Sequence, residues 1–180
     1  MKRIFRKLFW AWEFDKEEEW LNAMSAKGLQ LCDVGFCRYV FEEGLPREYV
    51  YRLELLDNVP NHAESIQYIQ FIEDTGAEQI GTLFRWVYFR KKTDGNEFNL
   101  FSNIDSRIKH LDRILVLTGI LSGVNLLNGG TRLHAWISQE MSFNFTVSIL
   151  CFTVGILIGY GFLRVFFKRR KLKKEKILHE

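Results

Sequence analysis

A chain of 180 residues can build one folded domain with a membrane or linker segment attached, and it is too short for several large domains. Its 25 Lys and Arg against 22 Asp and Glu conceal a split: residues 1–113 hold 16 basic and 19 acidic side chains, and residues 114–180 hold 9 and 3. That split argues against a general polyanion binder, and three cysteines with four scattered histidines match no metal-ligand spacing, so neither a metal nor another cofactor is expected.

The N-terminal MKRIFRKLFWAWEF admits two readings. Ile4, Phe5, Leu8, Phe9 and Trp12 share a helical face, with Lys2, Arg3, Arg6 and Lys7 off it, as in a helix lying in a membrane interface. Alternatively Trp10, Trp12 and Phe14 alternate with Ala11 and Glu13, as in a strand. The apolar patch is too short for a signal peptide and lacks a small-residue cleavage site.

Residues 15–27 then predict a helix, with Asp15 as N-cap, Glu17, Glu18 and Glu19 in its first turn, and Gly28 as its stop. Trp20, Leu21 and Met24 form its apolar face. A second helix is predicted over 63–75, burying Ile66, Ile69 and either Phe71 or Ile72, with Gly76 as its stop. Two strands follow each helix. An offset of 48 superimposes Gly28 on Gly76, Trp20 on Tyr68, Phe36 on Phe84 and Phe41 on Phe89, which reads as an internal duplication. The expected fold is therefore α+β: duplicated helix–strand–strand units forming an antiparallel sheet with two helices on one face, followed by a two-helix transmembrane hairpin.

In the strand LFRWVYF both faces are bulky, and helices on one face cannot cover both. The uncovered face suits a ligand, a second subunit, the bilayer or an ordinary central-strand environment. Arg38, Arg52 and Glu54, placed on the same face as Trp86 and Tyr88, would add polar groups to an aromatic floor and make a small-molecule or peptide site. A plain cross-strand ion pair accounts for the charged members equally well.

Residues 1–105 are thus read as a cytoplasmic domain and 106–113 as a linker helix, capped by Ser102, Asn103 or Asp105. Two spans follow within 114–167, at about 114–131 and 145–167, and 168–180 form a basic tail. The second span has 23 residues with one charge, Arg164; the first is diluted by Asn125, Asn128 and paired glycines. Basic residues precede the first span and follow the second, which puts both termini on the cytoplasmic side of the inner membrane. The loop between the spans holds Trp136, suited to a headgroup-level anchor. Arg164, Lys168, Arg169, Arg170, Lys171, Lys173 and Lys174 then lie against an anionic inner leaflet, and no nucleic acid is needed to explain them. Gly119 with Gly123, and Gly155 with Gly159, put small residues on one face of each span, for packing within the hairpin or in a homo-oligomer.

Four stretches taken together, EEWLNAMSAKG, YVYRLELLD, FRWVYFRKK and LFSNIDSRIKH, resemble the bacterial domain-of-unknown-function family 2812, found mainly in Firmicutes. The resemblance covers residues 10–113. It implies a soluble domain followed by membrane spans, genes near PadR-type regulators, and a role in regulation; it supplies no catalytic residues. No phosphate-binding glycine loop or catalytic triad is visible, so an enzyme is not expected. Two functional readings remain: a membrane-tethered sensor or adaptor binding a small ligand or a membrane or regulatory protein, and a structural subunit of a membrane assembly.

Overall fold

The computed structural model describes residues 2–93, 95, 98–100, 104–139 and 142–179. The chain divides into two compact units, Met1–Ser106 and Arg107–Glu180.

The first unit opens with a short strand, β1 (Arg3–Phe5), and a 3-10 turn at Ala11–Glu13 that leads into α1 (Phe14–Ala26). Neither N-terminal expectation holds: residues 3–5 are extended, and 11–14 turn into a helix rather than forming a strand. The helix starts on Glu13 rather than Asp15, so Asp15 and Glu17 occupy the first turn, where a helix dipole favours negative charge. Gly28 closes it at φ +77°, a conformation in which any Cβ is strained, and its N–H reaches Ser25 O at 2.9 Å.

Two strands follow, β2 (Leu29–Gly35) and β3 (Arg38–Glu43), joined by the two-residue tip Phe36-Cys37. Next come β4 (Tyr49–Leu55), α2 (Ala63–Asp74), β5 (Ala77–Leu83) and β6 (Trp86–Lys92), the last two joined at the tip Phe84-Arg85. Gly76 ends α2 at φ +86°, as Gly28 ends α1.

The α+β class stands, but the strands divide between two antiparallel three-stranded sheets, ordered β1-β3-β2 and β4-β6-β5, rather than forming one. Each half contributes a leading strand that pairs with its last strand, which the helix–strand–strand reading omits. Register slips occur between Leu31 and Asp33 in β2 and between Gln79 and Gly81 in β5.

The helices lie on opposite faces of the second sheet. Leu21 and Met24 of α1 pack in a core with Leu31, Tyr39 and Phe41 of the first sheet and Tyr51, Leu53 and Tyr88 of the second. On the far face, Ile69 and Ile72 of α2 cover Val87 and Phe89. Alternate residues of a strand face opposite ways, so β6, with bulky side chains at every position, requires cover on both sides. Ile66 and Phe71 stay 51 % and 63 % exposed because the stripe that meets the sheet is the narrower one through Ile69 and Ile72.

Backbone edges need partners as well. The outer edge of β4 faces α1, whose side chains at positions 18, 22 and 25 take up its main chain. Glu18 Oε1 accepts from Leu53 N at 2.7 Å, Asn22 bonds both main-chain groups of Tyr51, and Ser25 Oγ donates to Tyr49 O at 2.7 Å.

The second unit consists of α3 (Ile104–Gln139), whose first three residues lie before the unit boundary, and α4 (Ser142–His179). The linker helix, first span and most of the expected loop form one continuous helix, and Trp136 lies on it with its ring 4.8 Å from that of Phe145. Both helices are long and apolar enough to cross a membrane, and only 28 % and 17 % of their most apolar windows is buried. Inter-helix contacts include small polar ones: Ser122 Oγ donates to Gly155 O and Ser148 Oγ to Gly129 O, each at 2.8 Å. Near the charged ends of the two helices Arg169 pairs with Asp112.

Candidate functional site

A cavity of about 170 Å³ opens in the first unit, between the two hairpin tips and the N-terminal segment. Its walls are mostly aromatic: Phe9 and Trp10 from the N-terminal segment, Phe14 from α1, Phe36 and Phe84 from the tips, and Trp86 from β6. Phe14 and Trp86 lie with ring centroids 5.9 Å apart. The tips present unusual residues to water, with Phe36 73 % and Phe84 79 % exposed. Phe84 is held at φ +56° and Cys37 at φ +53°, in the left-handed region that glycine tolerates and a bulky side chain does not.

One carboxylate lines this apolar cavity. Glu17 is 7 % exposed, and its Oε1 accepts from Tyr39 Oη at 2.6 Å and from Tyr88 Oη at 2.7 Å. Three elements therefore meet on one oxygen, with α1 supplying the acid and β3 and β6 one phenol each. Burial holds the Glu17 carboxyl above its ordinary range, against the opposing pull of the two phenol hydrogen bonds. Burial and the neighbouring carboxylate raise both tyrosines, so they remain neutral donors. No Lys or Arg among the described residues pairs with Glu17. The cation on the wall, Lys7, has its Nζ over the rings of Phe9 and Trp20, 4.6 and 4.8 Å from their centroids.

Of the five residues anticipated for a site, Trp86 and Tyr88 line the cavity and the other three do not. Strand register explains the separation: Leu53 pairs with Tyr88 and Leu55 with Trp86, which leaves Arg52 and Glu54 on the opposite face, beside Phe89 and Val87. Glu54 is buried there and accepts from Tyr68 Oη at 2.5 Å. Arg52 donates to Tyr51 O at 2.9 Å and lies 4.0 Å from Glu18. Arg38 is exposed and pairs with Asp33 at 2.9 Å.

The reading of the sequence passed over Glu17 as a first-turn acid. A signal was present: Glu17 lies four residues before Leu21 and seven before Met24, on the apolar stripe rather than beside it. Phe36 and Phe84, matched at the 48-residue offset, are the two tips.

In the hairpin, a Cβ on Gly119 would come 3.3 Å from the Phe162 ring, one on Gly155 2.9 Å from Leu126, and one on Gly159 3.2 Å from Ser122 Oγ. Three of the four anticipated glycines thus seat one helix against the other, while Gly123 has nothing within 4 Å. The basic positions fall on the last turns of α4. Arg164, Arg170, Lys171, Lys173 and Lys174 are exposed, Lys168 is half-buried, and Arg169 is the partner of Asp112.

Neither the curated proteins nor the solved structures contain a match to this chain. A family model described as a protein of unknown function, DUF2812, matches residues 13–122. The match spans more than half of the chain and runs from α1 through β6 into the first half of α3, leaving out β1, so this protein belongs to the DUF2812 family.

Proposed function

We propose that this chain is a membrane-tethered binding module, a sensor or adaptor without catalytic activity, that captures a small ligand in the aromatic cavity of its first unit. The observation that carries the reading is the cavity itself: an apolar enclosure with few polar groups, one of them a buried carboxylate held by two phenols. Structural economy alone does not account for two tip phenylalanines left in water, one of them, Phe84, at a strained φ.

The hairpin supplies the tether. A core helix of a soluble protein would be mostly buried, whereas Val116, Ile120, Leu127, Leu150 and Ile156 are each at least 60 % exposed, a surface suited to lipid. The charge distribution supports the inner membrane with both termini cytoplasmic, and the basic end of α4 adds attraction to an anionic leaflet. The common order of elements, the shared sheet order and the register slips 48 residues apart support an origin by duplication, which would make the two tips counterparts.

The test is capture of the full chain from native membranes, with mass spectrometry of the small molecules that accompany it, for wild type and Trp86→Ala. Loss of a bound species in the variant at an unchanged melting temperature supports the reading. An identical inventory in both, or a variant that only aggregates, overturns it. Topology is checked with a cysteine placed at Lys174: labelling by an impermeant maleimide in intact cells would overturn the cytoplasmic assignment.

A second reading, a structural subunit of a membrane assembly, draws on the open notch at Gly123. It predicts that Gly123→Leu reduces oligomer size in detergent, and an unchanged size would count against it.

A further inference from the structure

Accepting the cavity as a binding site, we infer that its ligand is a small organic cation, an ammonium group on an apolar body, set against Glu17 and enclosed by the rings of Trp86, Phe14 and Trp10. Three features lead there. The cavity's size, about 170 Å³, is close to the ~150 Å³ that accepts a benzene ring, so it admits a headgroup rather than a drug-sized molecule. Its walls are mostly aromatic, and the face of an aromatic ring carries partial negative charge that attracts a cation. The carboxylate that lines it is acceptor-only when ionised, and the bonds from both phenols fall on Oε1.

An anion is disfavoured by that same carboxylate. A neutral apolar guest supplies no counter-charge to a buried Glu17 and so favours its protonated form, whereas a cation favours the carboxylate. Lys7 does not already fill the role: no ion pair joins it to Glu17, and its ammonium lies over Phe9 and Trp20. That contact shows the neighbouring rings holding a cation of the proposed kind. The other titratable groups lining the cavity are Tyr39, Tyr88 and Cys37, and the two raised phenols stay neutral. Ionisation of Glu17 is therefore the event that prepares the site.

The chemistry fits a dissolved quaternary or primary amine and the headgroup of a choline or ethanolamine lipid alike. The experiment uses the full chain in phosphatidylglycerol nanodiscs and follows tryptophan fluorescence, since Trp10 and Trp86 line the cavity. It is titrated with choline and, separately, with the neutral isostere 3,3-dimethylbutan-1-ol. Saturable choline binding about tenfold or more tighter than the alcohol is expected. Glu17→Gln keeps an oxygen for both phenols, and should weaken choline about tenfold while leaving the alcohol unchanged. Trp86→Phe, a second variant independent of the buried acid, should narrow the choline preference while retaining an aromatic wall. Choline affinity should rise with pH in the wild type and not in Glu17→Gln.

Equal affinity for the two probes, with both sensitive to Trp86, would overturn the cation assignment and leave the binding site standing. Silence from both probes, together with identical captured inventories for wild type and Trp86→Ala, would overturn both. Repeating the titration in phosphatidylcholine nanodiscs identifies the source. A lost response means that the lipid headgroup already fills the site, and an undiminished one means a dissolved amine; either result supports the cation.

Discussion

Asn22 binds the main chain of Tyr51 as a neighbouring strand would, its Oδ1 accepting the N–H at 2.8 Å and its Nδ2 donating to the carbonyl at 3.2 Å. The contact closes the open edge of β4. Asn22→Leu should cost about 1–3 kcal/mol, the penalty for leaving partly buried main-chain groups unpaired. Urea unfolding of the full chain in detergent measures the loss. Light scattering should show self-association of the exposed edge in the same variant.

Glu17 sets an unusual pH dependence. Its folded-state affinity for a proton is raised above the ordinary value of 4.5, so between that pH and the raised one the folded state holds more protons than the unfolded. Its contribution to stability is therefore full below about 4.5 and is lost as pH rises through the raised value. A paired surface carboxylate behaves in the opposite way. Melting temperatures across this window should fall with rising pH in the wild type, and the slope should flatten in Glu17→Gln. Equal slopes would show that the carboxyl is not the group responsible.

In the hairpin, Gly155 and Gly123 make a matched pair of positions with opposite surroundings. Leucine at 155 would meet Leu126 and Asn125 and force α3 and α4 apart, whereas leucine at 123 enters open space. Gly155→Leu should lose the compact mobility of the hairpin on detergent gels, and Gly123→Leu should keep it. The two outcomes separate helix packing within one chain from packing between chains.

The pair Asp112–Arg169 links the charged ends of the two long helices, with side chains 40 % and 26 % exposed. Solvent screens a pair so placed, and each single neutralisation should cost about 0–1 kcal/mol. Exchanging the two residues, Asp112→Arg with Arg169→Asp, should restore most of that loss. A double-mutant cycle on thermal unfolding reads the coupling.

Burial at helical spacing was legible from the chain. Leu21 and Met24 of α1, and Ile69 and Ile72 of α2, are core residues, and Gly28 and Gly76 end their helices at positive φ. Less visible was whatever depends on distant pairing. The strand β1 has three residues, too few for a period, and exists because β3 lies beside it. Glu18, Asn22 and Ser25 form a polar stripe that looks like a solvated face; that it meets the edge of β4 follows only from the fold. The site was half legible for the same reason. The double-sided strand pointed to Trp86 and Tyr88, while the register that turns Arg52 and Glu54 away is set across strands.

The left-handed turn at Phe84 has a consequence for engineering. Glycine there would relieve the backbone and firm up the hairpin, yet it would remove a wall from the enclosure below. Thermal screening alone would favour the glycine variant, and a screen for retained grip would discard it. At position 84 sturdiness and capture become competing traits.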